Sequence, residues 1–172
     1  LAAVVGLLPG ILRGWDAALY WFLPMVGGIT MLRFLLTWPI ARTYGPVRFQ
    51  VSHGGVPLSL INGFLGAWWP VLGFWVPRNP LWHESQFRKA SGRASMVGWI
   101  IIIAATFATY FSPNPGLGEA WRGSLVPMLF FQAIPGGPFE GLDGFRVFHW
   151  SKAAWVLGVV LSAGVLAYGL IT

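Results

Sequence analysis

The sequence predicts an all-α integral membrane protein with about five to six transmembrane or re-entrant helices. Of its 172 residues, 56% are hydrophobic and only 9% are charged, whereas a soluble globular domain carries about 25% charged residues. A helix needs about 20 apolar residues to cross a hydrocarbon core of roughly 30 Å. Several blocks with few or no charges approach or exceed that length, namely Ala17–Leu32, Phe49–Pro77, Ala94–Gly118 and Ala153–Thr172. We therefore expect one polytopic membrane domain over residues 1–172.

The first half of the chain is predicted to hold one regular span and one irregular segment. Residues 1–16 are interpreted as the remnant of an earlier helix or of a signal sequence, because Leu1–Leu12 is apolar but short. Ala17–Ile40 is predicted to be a helix, and Ala41–Gly55 a polar connection. Val56–Pro77 is apolar but rich in glycine and proline, which favours a bent helix or a re-entrant pair.

The second half is predicted to contain three further apolar helices. Arg78–Arg93 reads as a polar loop before a clear helix at Ser95–Phe111. A shorter helix is expected at Leu125–Ile134, where Pro135-Gly136-Gly137-Pro138 stops it. The last span is expected at Ala153–Ile171, whose glycines offer close contact surfaces for other helices.

The charge distribution indicates a membrane partner rather than a nucleic acid. The net charge is +6, but the basic residues are spread over the connecting segments, as interfacial anchors and topology signals are. We expect the lipid bilayer and other membrane protein subunits as partners. There is no cysteine, which excludes disulfides and thiolate metal sites.

Charged residues recur every three positions near the end of the chain: Glu140, Asp143, Arg146, His149 and Lys152. Titratable groups at membrane depth are functional hypotheses by default. One interpretation is that Asp143, together with Glu140, binds a metal or a cationic partner. The other is that Asp143 caps a helix beginning at Gly144 and pairs with Arg146.

Two histidines lie outside that segment, and neither has the spacing of a zinc site. His83-Glu84 lacks the second histidine of a His-Glu-x-x-His helix, because position 87 is Phe. His53 precedes Gly54-Gly55 and is similarly isolated. A metal held by His53, His83 and Asp143 is an alternative to the simpler interpretation of both histidines as interfacial loop residues. We expect no cofactor.

Three motifs resemble the site-2 protease family of intramembrane zinc metalloproteases, in particular its compact archaeal members. Gln132-Ala-Ile-Pro135-Gly-Gly-Pro138 and Asp143-Gly144 are similar to the family's Asn-x-x-Pro-x-x-Pro-x-Asp-Gly pattern. Gly92-Arg-Ala-Ser95-Met-Val-Gly98 is similar to the segment that opens the preceding core helix. The resemblance implies a site-2-protease-like core over residues 33–152.

The departures from that pattern imply a degenerate member. The position of the His-Glu-x-x-His motif falls on Arg33-Phe34-Leu35-Leu36-Thr37, so both histidine ligands and the catalytic Glu are absent. Strict spacing puts Glu140 at the third zinc ligand, and Asp143 matches with three residues inserted. A catalytic zinc normally has three protein ligands and a water. We hypothesise that an Arg33–Asp143 ion pair occupies the former metal position.

The resulting functional expectation is a non-catalytic membrane subunit. It would act as a scaffold or accessory component of a larger complex in the plasma membrane of a prokaryote. One alternative is an active intramembrane zinc metallopeptidase with atypical ligands from His53, His83-Glu84 and Asp143. Another is a transporter or channel component, with Arg33, Asp143 and Glu140 lining a polar path.

Overall fold

The computed structural model describes residues 23–51, 73–78, 84–136 and 142–171, and these are mostly helical. The helices and strands are α1 (Leu23–Ala41), β1 (Val47–Val51), β2 (Gly73–Pro77), α2 (Glu84–Ala108), α3 (Pro115–Gln132), α4 (Asp143–Trp150) and α5 (Lys152–Ile171). Short 3-10 turns follow α1 at Arg42–Tyr44 and α2 at Thr109–Phe111. The two strands form a small sheet, so the expectation of an all-α fold is wrong in this respect.

The sheet is antiparallel and lies where the sequence suggested a connection and an irregular helix. Val47 pairs with Pro77 and Val51 pairs with Gly73. β1 alternates apolar and polar residues, Val-Arg-Phe-Gln-Val, which is the period of a half-buried strand. β2 places aromatic Phe74 and Trp75 between Gly73 and Pro77. The predicted helix or re-entrant pair over Val56–Pro77 is therefore wrong for its last five residues, and residues 52–72 lie outside the described part.

Helix α2 is the centre of the bundle and packs against α1, α3, α4 and α5. It begins at Glu84, so most of the predicted polar loop over Arg78–Arg93 is helical. This first part of α2 is amphipathic, since small residues face inward and cations face outward. The buried small residues are Ala90, Ser91, Ala94 and Ser95, and the outward cations are Arg88, Lys89 and Arg93.

Helix α3 also begins earlier than the predicted Leu125–Ile134. The side chain of Asn114 accepts a hydrogen bond from the backbone N–H of Leu117, and Pro115 occupies the first helical position. An Asn cap followed by proline is a strong helix start. The apolar half of α3 supplies much of the core, which comprises Trp99, Ile102, Ile103, Leu125, Met128, Leu129 and Val147.

Helix directions follow from contacts with α2. For α1, Arg33 lies beside Gly98 and Ala41 lies with Ala94. For α4, Asp143 lies beside Gly98 and Trp150 beside Gly92. For α5, Ser162 contacts Trp99, and Gly169 lies beside Tyr110, just after α2. Helices α1 and α4 therefore run antiparallel to α2, and α5 runs parallel to it. The end of α1, the end of α4 and the starts of α2 and α5 share one end of the bundle, which we call the α2-start end.

Two of the described helices are long and apolar enough to cross a membrane, at Ser85–Phe111 and Lys152–Ile171. In the most apolar stretch of the first helix, 50% is buried inside the protein, whereas in that of the second helix only 17% is buried. Helix α5 thus turns most of its apolar surface outward. The larger number of five to six spans stays a prediction.

Candidate functional site

Arg33 of α1 and Asp143 of α4 meet across a glycine of α2. Arg33 Nη2 donates a hydrogen bond to Asp143 Oδ2, and the two groups form an ion pair. A Cβ at Gly98 would lie 3.0 Å from that Oδ2 and 3.1 Å from Arg33 Nη2. The absence of a side chain at Gly98 therefore leaves space for the pair between three helices.

The side chain of Gln132, at the end of α3, fixes the start of α4. Its Oε1 accepts hydrogen bonds from the backbone N–H groups of Asp143 (2.7 Å) and Gly144 (3.2 Å). Its Nε2 donates to Asp143 Oδ2 at 3.3 Å. The first N–H groups of a helix have no partner within the helix, and Gln132, which is buried, satisfies two of them.

This arrangement corrects the interpretation of Asp143 as a helix cap. Helix α4 begins at Asp143 itself, and its N-cap residue is Leu142, whose side chain makes no capping hydrogen bond. Since the Gln132 amide takes over the capping role, the Asp143 carboxylate is directed to Arg33. Gln132 matches the family's Asn in the motif correspondence, and its capping role was not predicted from the sequence. A buried amide placed before a proline-glycine turn was the available signal.

The other described charged residues of the three-residue pattern, Arg146, His149 and Lys152, make contacts away from the Arg33–Asp143 hydrogen bond. Arg146 Nη1 donates to Ser91 Oγ at 2.7 Å, and its guanidinium lies 3.5 Å from the centre of the Phe74 ring. Arg146 thereby connects α4 to α2 and to the sheet. His149 is exposed, with Nδ1 2.8 Å from the Phe145 carbonyl oxygen. Lys152 is exposed and belongs to α5, beyond the break at Ser151.

A cavity of about 40 Å³ adjoins the Asp143 carboxylate, between the sheet and α2. Its polar lining comprises Asp143 and the hydroxyls of Thr37, Ser91 and Ser95, and its apolar lining includes Phe49, Phe74 and Trp75. Thr37 Oγ1 donates to the Arg33 carbonyl at 2.6 Å and accepts from Trp75 Nε1 at 3.0 Å. A water needs about 10–15 Å³ of such volume and several polar partners, so the cavity is suited to hold water beside the carboxylate.

The described residues around Asp143 do not supply the ligand set of a zinc ion. Zinc in proteins takes Cys, His, Asp or Glu ligands, normally three of them in a catalytic site. In residues 27–43, 45–50, 73–78, 85–136 and 142–171, no group of three such side chains lies close enough to hold a metal. The Asp143 carboxylate is paired with the Arg33 guanidinium, whose positive charge repels a dication.

The remaining residues considered as ligands cannot be placed against this site. His53, His83 and Glu140 lie outside the described part of the chain. Glu84 is the first residue of α2, at the α2-start end of the bundle. The structure thus brings together Arg33 and Asp143 from the predicted set, and it adds Gln132, Gly98 and Ser95 to them.

The chain is similar to a protein of Mycobacterium tuberculosis named as a putative zinc metalloprotease, Rip3, with 27% identity over 157 residues in each of two strains. The match covers 85% of this chain and 36% of the relative, so the chain spans about a third of the relative's length. No protein-family model matches the chain, and no solved structure matches it. The similarity supports the broad class that the motifs indicate, and it does not separate an active member from a degenerate one.

Proposed function

We propose that this chain is a non-catalytic, site-2-protease-like membrane protein that serves as a scaffold or accessory subunit of a larger complex in a prokaryotic plasma membrane. The observation that carries the proposal is the ion pair of Arg33 with Asp143. In the motif correspondence, Arg33 stands where the His-Glu-x-x-His motif would begin, and Asp143 matches the third ligand when three residues are inserted. The Arg33 guanidinium neutralises the negative charge of the Asp143 carboxylate, as a zinc ion would in an active member of the family.

The outward surface of the bundle supports a role in assembly. Large apolar side chains of α1 and α5 are exposed, and exposed apolar surfaces of this extent mark contacts with lipid or with a protein partner. These side chains are Met31, Leu32, Phe34, Leu35, Leu36 and Trp38 on α1, and Val156, Leu157, Val160, Leu161, Leu170 and Ile171 on α5. Gly27, Gly28 and Gly164 have open space around them, and small residues allow close approach of another membrane helix.

The alternative is an active intramembrane zinc metallopeptidase, and the name of the relative favours it. In that case Asp143 would leave Arg33 and bind zinc together with His53 and His83. Enzymatic zinc sites keep three protein ligands, so this alternative requires the two histidines to approach the end of α3. A transporter or channel role would instead use the hydroxyl-lined cavity beside Asp143.

The experiment that separates these functions measures zinc and partners in the same preparation. The full chain is purified in mild detergent from its native membrane, alongside Arg33→Leu and Asp143→Asn variants. We expect zinc far below one ion per chain in all three, together with membrane protein partners at fixed stoichiometry. About one zinc per chain in the wild type, lost in Asp143→Asn, would establish the metallopeptidase instead. A chain without zinc and without partners would contradict the subunit role.

A further inference from the structure

Exposed cations gather at the α2-start end of the bundle. We call this set the basic rim: Arg42 after α1, Arg48 on β1, Arg78 after β2, Lys89 and Arg93 in the first turns of α2, and Lys152 at the start of α5. At the opposite end, the charged side chains in the described part of the chain are Glu119 and Arg122 of α3. The charge of the described surface is therefore strongly asymmetric along the bundle.

The rim lies at the border of the outward apolar surface. The Arg42 guanidinium lies 4.5 Å from the centre of the Trp38 ring, and exposed Leu35 and Leu36 precede it on α1. The Lys152 ammonium lies 5.9 Å from the Phe148 ring, and exposed Val156 begins the apolar face one turn later. Cations next to aromatic rings, one turn from lipid-facing side chains, have the position of headgroup-level anchors.

Within the described part of the chain, few carboxylates lie near the basic rim. The chain holds five Asp and Glu residues in total. Asp143 is buried and paired with Arg33, and Glu119 lies at the opposite end of the bundle. Glu84, the first residue of α2, lies at the same end as the rim, and Asp16 and Glu140 lie outside the described part of the chain. The Asp and Glu residues in the described part of the chain can therefore neutralise at most one of the six rim cations, which favours an anionic partner outside the chain.

We propose that the basic rim binds the headgroups of anionic phospholipids in the leaflet that surrounds the α2-start end. This inference rests on the proposed membrane location. Each Lys or Arg close to an anionic membrane surface strengthens binding by roughly fivefold, and the attraction is screened by salt. Several cations at one level therefore select anionic over zwitterionic lipid, whereas Arg122, the one cation that the described residues place at the other end, gives little selection.

The test is native mass spectrometry of the full chain in detergent, titrated with phosphatidylglycerol or with phosphatidylcholine. We expect preferential retention of phosphatidylglycerol, reduced at high salt. The variant Arg42→Gln/Lys89→Gln/Arg93→Gln should lose the preference, on the order of 100-fold by the per-charge factor. The control variant Arg42→Lys/Arg93→Lys keeps the charge and should retain most of the preference for phosphatidylglycerol. The same thermal stability in all three proteins separates lost lipid binding from lost fold.

Two results would overturn the inference: equal retention of both lipids by the wild type, or a preference that persists in the triple variant. If the triple variant does not fold, the single variants Arg42→Gln and Lys89→Gln provide the same comparison, each with about a fivefold loss. Reconstitution into pure phosphatidylcholine vesicles tests the membrane location separately. A chain that inserts there but shows no lipid preference contradicts the lipid site alone, and a chain that stays soluble without detergent contradicts the membrane location itself.

Discussion

At the scale of single residues, the Asp143 carboxylate is the point where three helices are tied together. Arg33 brings α1 to it, Gln132 brings α3, and Gly98 leaves room for it on α2. Taking two charges out of water has a large desolvation cost, and their attraction compensates only while both partners are present. The site is therefore sensitive to loss of one partner and tolerant of loss of both.

Replacing Arg33 with Leu should destabilise the protein by on the order of 3–5 kcal/mol, because an unpaired carboxylate is then left buried. The double variant Arg33→Leu/Asp143→Leu removes both charges and should regain most of that loss. Unfolding of the detergent-solubilised chain, followed by tryptophan fluorescence, measures both. Equal stability of wild type and Arg33→Leu would mean that the pair is solvated and does not hold the helices together.

Gln132→Met should cost about 1–3 kcal/mol, since the buried N–H groups at the start of α4 lose their acceptor while the volume is kept. Gln86→Met is the matched control, because Gln86 is exposed on the first turns of α2 and should change stability little. The same unfolding measurement applies. If the two variants behave alike, another group must satisfy the start of α4.

Single residues were only partly predictable from the sequence. A charged residue such as Arg33 inside an apolar segment indicates that a counter-charge lies near it. In the structure this counter-charge is Asp143. That the pair occupies a former metal position stays a prediction. The capping by Gln132 depends on how α3 and α4 approach each other. That approach is fixed by Gly144, which packs directly against the Gln132 carbonyl, and no local pattern reveals it.

At the scale of elements, the contact between α2 and α5 depends on one glycine. A Cβ at Gly158 would lie 2.7–2.9 Å from atoms of the buried Trp99 ring, which also donates from Nε1 to Ser162 Oγ at 3.1 Å. Gly158→Ala should therefore cost about 1–3 kcal/mol through overpacking. Gly164→Ala on the same helix meets nothing within 4 Å and should be neutral or slightly stabilising. Equal thermal stabilities of the two variants would contradict this packing.

Helices and strands were predicted correctly where a segment is apolar throughout, and the prediction failed where the two faces of a segment differ. Helix α5 matches the predicted last span within one residue at its start, because nothing interrupts its apolar run. The start of α2 was predicted as a polar loop because its exposed cations dominate the segment's composition, although small residues such as Ala90 and Ala94 form a buried face between them. The strands were missed because β1 is five residues long and finds its partner beyond a long intervening segment.

At the scale of the whole molecule, the charge asymmetry and the helix lengths agree on one placement across a bilayer. Helix α5 has 20 residues and is thus about 30 Å long, which matches the hydrocarbon thickness. Gly98 lies five residues after Arg93 on α2, or about 7 Å along the helix. In that placement, the Arg33–Asp143 pair lies below the headgroup level, on the side of the basic rim.

The same asymmetry predicts the orientation, since loops and helix ends rich in Lys and Arg stay in the cytoplasm. The chain has no cysteine, so single cysteines report their own position without background. Gln86→Cys is placed at the α2-start end, and Gly116→Cys at the exposed start of α3. A membrane-impermeant maleimide should label position 116 in intact cells and position 86 only in inverted vesicles. The reverse labelling pattern would place the basic rim outside the cell. The orientation would then be set by charges elsewhere, either in a partner subunit or in segments 1–22, 52–72, 79–83 or 137–141.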